Sequence, residues 1–371
     1  MKKLLILSLL ILGMASIVYG ACVVPSDDMI LGGDITFCQG EYNVVNLLIN
    51  KSNTIVDCNG TIFSGYKGAP PYFHSAFHTN FYDILSNITI KNCQIRDYSV
   101  GLSLEDVNSV AIINNTFFNN SEAIINNFYR YWNNVLIANN TFIDSYAVDI
   151  FGTYMHNSSI INNKFISEGI AVRGISISRS YNNTISNNNF TTSTAIEFGS
   201  VAINNKIIYN HIVNGNNGIF IQNMSWINQT IQNNTIHDNI ICNNTYDINF
   251  FTNFTFNYGY NNFCDSTNNW NDAGATGCTY TCTQVSMDSD LDGVFDILDK
   301  CPNTPIGEPV DQDGCSNPQF CKKQAICGSS CSLADWKHNE PFSNNPYDCM
   351  TMIIAKEGKY QPMCAGSTCA D

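Results

Sequence analysis

From Asp288 to Asp299 the chain reads Asp-Ser-Asp-Leu-Asp-Gly-Val-Phe-Asp-Ile-Leu-Asp, which puts carboxylates at positions 1, 3, 5, 9 and 12 of a twelve-residue loop. These are Asp288, Asp290, Asp292, Asp296 and Asp299; Gly293 at position 6 permits a sharp turn, and the Val294 carbonyl at position 7 adds a further oxygen. Carboxylates this dense repel one another unless a hard dication sits among them, so the spacing points to calcium, with loop and ion stabilising each other. A second pair of acids, Asp149 and Glu197, sits in the middle outward position of short strands that recur along the chain. Two coils of a stacked sheet separate them by about 9.6 Å. Inverting glycosidases place their two carboxyls roughly 6.5–9.5 Å apart. Arg173 and His156 lie close in sequence and have the chemistry to bind a sugar acid or position water. The alternative is two solvated acids on an exposed sheet face, and the 27-residue gap between Ala147 and Gly174 threatens the register that the pairing needs.

The second pair would be positioned by an internal repeat that ends before the acidic loop. Ile90-Lys-Asn-Cys-Gln-Ile95 returns as segments starting at Ile112, Ile137, Ile160, Ile185, Ile207 and Ile231, at intervals of 22, 25, 23, 25, 22 and 24 residues. A second repeat lies between these: Gly101-Leu-Ser-Leu, Ala123-Ile-Ile-Asn, Ala147-Val-Asp-Ile, Gly174-Ile-Ser-Ile, Ala195-Ile-Glu-Phe and Gly218-Ile-Phe-Ile. Each starts with a small residue and then alternates apolar positions, the period of a strand with one buried face, and the runs are too short and too β-branched for helices. A coil of this length cannot bury its own apolar face, whereas stacked coils bury a continuous core and pair every backbone group with the coil above and below. The seven isoleucines then form one interior file. The asparagines at 115, 140, 163, 188, 210 and 234 form a turn ladder, bonding one another and tolerating left-handed backbone angles.

These residues resemble the pectin-lyase-like right-handed parallel β-helix superfamily, in particular the parallel β-helix repeats of archaeal and bacterial secreted proteins, over about Asn43 to Cys264. Relatives of that kind include pectate lyases, polygalacturonases, alginate epimerases and plain binding or adhesion proteins. The polygalacturonase Gly-His-Gly and the epimerase Asp-Pro-His-Asp motifs are absent here. After the acidic loop, Cys301-Pro302 and Val310-Asp311-Gln-Asp313-Gly314-Cys315 follow without helical patterning. The segment resembles a thrombospondin type 3 repeat. That resemblance implies calcium on the loop residues, a second ion at Asp311 and Asp313, and a Cys301–Cys315 bridge.

The N-terminus reads as a secretory signal peptide: Lys2 and Lys3, an apolar run from Leu4 to Leu12, then small residues before Ala21. An uncleaved anchor is the alternative. Sixteen cysteines in an exported chain read as disulfides. Cys22 and Cys38 staple an N-terminal cap, and Cys58 and Cys93 occupy similar places in neighbouring coils. A formal charge of −14 makes nucleic acid and anionic lipid poor partners. Fourteen Asn-x-Ser/Thr sequons occur, among them Asn50, Asn87, Asn114, Asn139, Asn228 and Asn253, although an asparagine-rich repeat also generates them by chance. The insertion from Gly65 to Asp83, rich in aromatics and proline, is either a binding loop or a cover over the side of the solenoid.

The expected fold is all-β: a right-handed single-stranded parallel β-helix (solenoid), then a calcium-binding thrombospondin type 3 repeat and a small disulfide-rich C-terminal region. The expected divisions are 1–20 signal peptide, 21–42 N-terminal cap, 43–265 β-helix, 266–284 C-terminal cap, 286–317 calcium repeat and 318–371 Cys-rich tail. The leading functional expectation is a secreted or cell-surface glycoprotein that binds calcium and carbohydrate or cell-envelope glycan, in an adhesive or structural role. The rival is a polysaccharide lyase or glycoside hydrolase using Asp149 and Glu197.

Overall fold

The structure is a computed structural model, described here for residues 22–65, 74–80, 83–126, 130–167, 172–221, 230–251 and 256–283, and for scattered positions beyond: 294, 299–301, 303–305, 310, 314–316, 364, 365, 368 and 369. The signal peptide, most of the 65–83 insertion, most of the calcium loop and most of the tail lie outside the described residues.

The chain winds as a parallel β-solenoid with three faces. The first carries an 11-stranded sheet from Ile30–Leu31 to Thr267–Asn268, the second a 14-stranded sheet from Asp34–Thr36 to Tyr258–Tyr260, and the third a 9-stranded sheet from Glu41–Tyr42 to Ile240–Cys242. Segment 21–42 is therefore the first coil as well as the start of the chain's fold: its three short strands pair in parallel with Leu47–Ile49, Thr54–Asp57 and Ile62–Ser64. At the other end Thr267–Asn268 pairs with the Tyr246–Phe250 strand, and Phe263 bridges Ile240 and Tyr280, so the closing segment continues the stack. Among the described residues no helix is long and apolar enough to cross a membrane.

Like residues meet like inside. Val56, Ile90, Ile112, Ile137, Ile160, Ile185, Ile207 and Ile236 form one file on the second sheet. Six of the seven expected isoleucines are in it; Ile231 is not, because it pairs with Ala202, and Ile236 takes its place. On the third sheet Phe117, Phe142, Phe165 and Phe190 stack face to face at 5.0, 4.7 and 4.4 Å between ring centroids. Replacing Phe165 by leucine removes two of these contacts while nearly conserving volume, and is expected to cost about 1–2 kcal/mol in urea denaturation.

The polar spine differs from the expected single turn ladder. Each coil bends at left-handed residues spaced five apart, such as Asn87, Asn92 and Asp97, or Asn134, Asn139 and Asp144. The residue after each bend points inward. That explains the many Asn-Asn pairs: in Asn114-Asn115, Asn139-Asn140, Asn162-Asn163 and Asn187-Asn188 the first adopts φ near +56° and the second is buried. So the left-handed angle belongs to the residue before each ladder asparagine. The main ladder runs Asn115, Asn140, Asn163, Asn188, Asn210, Asn239 and Asn262; from Asn140 on, each side-chain oxygen accepts both the backbone N–H and the side-chain amide of the asparagine one coil earlier, and that of Asn115 accepts the Cys93 N–H. Asn234 stands in a parallel ladder with Asn183, Asn205 and Asn257. Both ladders satisfy buried amides that would otherwise destabilise the core.

Disulfides pin the ends of the stack. Cys22–Cys38 and Cys58–Cys93 lie at the N-terminal end, each with a Cα–Cα separation of 4.8 Å, and Cys242–Cys282 and Cys264–Cys278 close the C-terminal end.

Candidate functional site

The expected pairing of Asp149 with Glu197 fails on register. The outward row of the first sheet is Ser103, Ile125, Phe151, Ser176, Glu197 and Phe220; Phe151 holds the place expected for Asp149. Asp149 instead lies opposite Gly174 in the small-residue column of Gly101, Ala123, Gly174, Ala195 and Gly218. That column turns into the corner beside the phenylalanine file: a Cβ on Gly174 would lie 2.9 Å from Phe190, and one on Gly101 would lie 3.1 Å from Phe117. The Asp149 side chain is accordingly buried. Ser145 Oγ donates to its Oδ1, and Oδ2 has no partner among the described residues. Burial pushes its pKa up to about 8, the Ser145 hydrogen bond opposing this and the Asp144 charge adding to it. A buried neutral acid facing the core cannot act with Glu197 on an external substrate. Two residues of slip, made by a coil longer than its neighbours, account for the difference.

Glu197 has other company. Its Oε2 accepts from Arg173 Nε at 2.8 Å and from Ser176 Oγ at 3.0 Å. Arg173 is half exposed and Glu197 almost buried, so the guanidinium covers the carboxylate and presents its outer edge to solvent. Phe151 and Phe220 stand at either end of this cluster in the same outward row. His156, expected near Arg173, is in the second sheet, opposite Asn133 and Tyr181. The structure thus separates Asp149, Glu197 and His156 and joins only Arg173 to Glu197.

His156 is instead part of a surface group that sequence reasoning missed. At the corner between the first and second sheets, the Tyr131 and Tyr154 rings lie 4.9 Å apart, His156 meets Tyr181 edge-on at 4.9 Å, and Tyr131 meets His156 edge-on at 6.2 Å. The Arg179 guanidinium lies 5.1 Å above the Tyr154 ring, a cation–π contact. Tyr154 and Arg179 both take left-handed angles, φ 52° and 51°, which large side chains rarely adopt; at this corner the bend throws them outward. Tyr131 is anchored by its backbone N–H to Asp106 Oδ1, while Arg130 pairs with Asp106 Oδ2 at 2.8 Å, and its ring is 53% exposed. Burial lowers the His156 pKa, with a hydrogen bond to the Arg179 backbone opposing it, which favours the neutral ring. Beside the rings runs a row of amides: Asn182 donates to Asn157 at 3.2 Å and Asn157 to Asn133 at 2.8 Å. The signal that could have revealed this group is the coil-length interval between Tyr131 and Tyr154.

Of the calcium residues, Asp288, Asp290, Asp292, Asp296, Asp311 and Asp313 lie outside the described residues, as do residues 66–73 and 81–82 of the insertion. Val294 and Asp299 are described; Asp299 Oδ1 accepts the Cys301 N–H at 2.7 Å. Cys301 and Cys315 are bonded, and Thr304 Oγ donates to the carbonyls of Cys301 and Gly314, which ties this short segment together.

The parallel stacking decides what the chain resembles. Residues 85–236 match the right-handed β-helix region family. Solved structures align with it at low identity. The exopolygalacturonase of Yersinia enterocolitica aligns at 13% identity and TM-score 0.43, covering 63% of this chain and 60% of that one. An alginate lyase from Paenibacillus aligns at 15% and 0.43, covering 68% and 91%, and the surface adhesin PfbA of Streptococcus pneumoniae at 13% and 0.41, covering 67% and 80%. A curated relative, an alpha-agarase of Alteromonas agarilytica, is 54% identical over 37 residues, which is 10% of this chain and 3% of that enzyme.

Proposed function

We propose that this β-helix is a secreted or cell-surface protein that binds carbohydrate or cell-envelope glycan, in an adhesive or structural role, with calcium held in the 288–299 loop. The observation that carries the reading is the corner group of Tyr131, Tyr154, His156 and Tyr181. The exposed Tyr131 and the half-buried rings beside it offer apolar surface to the C–H side of sugars, and the adjoining amides of Asn133, Asn157 and Asn182 supply donors and acceptors for hydroxyls. The rings stand on strands, or directly beside them, in a solenoid with a packed core, so the platform is preorganised. Disulfides at both ends suit an oxidising compartment.

A glycan array probed with the full chain is the test. Replacing Tyr154 by alanine removes one ring and the Arg179 contact, and is expected to weaken retention of the bound glycan about tenfold with no change in circular dichroism. Undiminished binding by both Tyr154→Ala and Tyr181→Ala would remove the corner from the reading.

Calcium rests on the all-oxygen donor set of Asp288, Asp290, Asp292, Val294, Asp296 and Asp299, the chemistry a hard dication takes. Chelation is expected to lower the melting temperature of the full chain by several degrees, since an ion bound only to the folded loop stabilises it. An identical melt in EGTA and in millimolar calcium would exclude the ion.

A further inference from the structure

A trough of about 590 Å³ runs along the outer face of the second sheet, and the geometry points to it as a binding site for a neutral oligosaccharide. This deepens the carbohydrate reading and rests on it. One wall is Asn53, Asn87, Ser109 and Asn134, all at left-handed bends with φ between 53° and 57°, so that each side chain stands up from the sheet. The other is the adjacent row of Asp34, Ile55, Thr89, Ala111 and Leu136, one residue per coil in strict register. Side chains are small at the centre, where Ser109, Thr89 and Ala111 meet, and large towards the ends, at Ile55 and Leu136. That size sequence hollows the trough over the backbone of Ile88 and Val110.

Four coil steps separate Asp34 from Leu136, roughly 19 Å at the usual strand spacing. A trough of that length takes several sugar rings in a line. The small Ala111 and the apolar Ile55 and Leu136 of the second wall suit the C–H face of a ring. Its wall of amides and a hydroxyl both donates and accepts, as sugar hydroxyls do. Asn87 donates to Asn53 at 3.0 Å and Asn134 to Asn108 at 3.3 Å, which holds these amides in place. No lining residue is cationic and Asp34 is acidic, so the charge favours a neutral sugar over a uronate or sulfate. An extended peptide is a poorer fit: the lining strands from Thr54–Asp57 to Trp132–Ala138 are paired on both sides, and the trough lies on the sheet face and not along an open edge. The trough ends at Asn134 and Leu136, in the same coil as Tyr131 and Asn133, so a glycan leaving it passes onto the corner rings.

Asn87-Ile88-Thr89 is itself a sequon, and both its asparagine and its threonine line the trough. A glycan attached there would fill the site, so the full chain is produced in a host without N-glycosylation. Affinity electrophoresis is run through gels containing xylan, galactomannan or agarose, and through gels containing alginate or polygalacturonate. The wild type should be retarded by at least one neutral polymer. Ala111→Glu, at an outward position that leaves the core untouched, should reduce that affinity at least tenfold with an unchanged melting temperature. The double variant Asn87→Ala/Asn134→Ala should reduce it severalfold and serves if Ala111→Glu folds poorly. Retardation by acidic polymers alone, or wild-type affinity in the folded variants, overturns the assignment. Loss of binding in Tyr154→Ala with wild-type binding in Ala111→Glu keeps the carbohydrate reading and sinks the trough. No retardation in any gel sinks both.

Discussion

Replacing Asp272 by alanine is expected to lower the unfolding free energy by about 3–5 kcal/mol. Asp272 is 2% exposed and terminates the main asparagine ladder. Its Oδ2 accepts the backbone N–H groups of Asn262 and Thr279 at 3.0 and 2.9 Å and the Thr279 hydroxyl at 2.9 Å; its Oδ1 accepts the Asn262 amide at 2.8 Å and Trp270 Nε1 at 3.1 Å. Each ladder asparagine donates one amide N–H back to a carbonyl of the coil before, and its backbone N–H and other amide N–H forward to the next acceptor, so Asn262 at the end of the ladder presents two donors. A carboxylate is the acceptor that meets them. Alanine leaves five donors without it, most of them away from water. Asparagine puts an NH2 where one oxygen accepted, and should fall between wild type and alanine. The Cys242–Cys282 and Cys264–Cys278 bridges hold the closing segment in place, so the variant still folds and the loss is measurable in urea denaturation. A change under 1 kcal/mol would show that the ladder needs no terminal acceptor.

The second large effect depends on pH. The folded state holds the Asp149 proton up to about pH 8, whereas the unfolded chain releases it near the ordinary value of 3.8. Between those values the native state binds more protons than the unfolded one, so stability falls as pH rises. The contribution is fully present below about pH 3.8 and lost once the pH passes about 8. Asparagine has the shape of the neutral acid and no charge to bury. Asp149→Asn should therefore match wild type below about pH 4 and exceed it by on the order of 6 kcal/mol once the pH is above 8. Urea midpoints of both proteins across this range provide the check, and parallel curves would mean that the carboxyl is not buried as described. Asp247, at the equivalent place in a later coil, accepts N–H groups from Asn244, Asp265 and Ser266, which is how a charged residue there is accommodated. Asp149 has only the Ser145 hydroxyl.

Neither result bears on glycan binding, which is the value of keeping the two apart. Asp149 faces the core, and Asp272 closes the end of the stack; the corner rings and the second-sheet trough are on the outer faces. A variant that unfolds the protein and one that empties its binding surface are thus distinguishable in the same preparation.

The repeat was legible because each coil spends its apolar residues on the same interior files. Isoleucine at coil-length intervals has a direct physical meaning in a stacked sheet, and the Cys58–Cys93 bridge between neighbouring coils follows from the same periodicity. Register was harder. Within a coil the pattern repeats every five residues: a left-handed bend, an inward polar residue, then an inward apolar one. Ile231-Gln-Asn-Asn-Thr-Ile236 therefore looks like Ile207-Ile-Tyr-Asn-His-Ile212 although it pairs one pentad away. A slip of two residues likewise keeps the parity of a strand, so Asp149 and Phe151 were indistinguishable by alternation alone. The corner rings escaped notice because Tyr154 sits at a bend and His156 and Tyr181 on two-residue strands, too short to show alternation.

The sequence by itself determined that the chain stacks into coils, that isoleucine forms an interior file and asparagine a ladder, and that an acidic loop with calcium spacing follows. These are properties of composition and period, which every coil repeats. Only the tertiary structure decided which residue of one coil lies over which residue of the next. That choice depends on the length of each loop and on steric room at the corners, and it moved Asp149 into the core, covered Glu197 with Arg173, and gathered Tyr131, Tyr154, His156 and Tyr181 from three coils into one partly exposed surface.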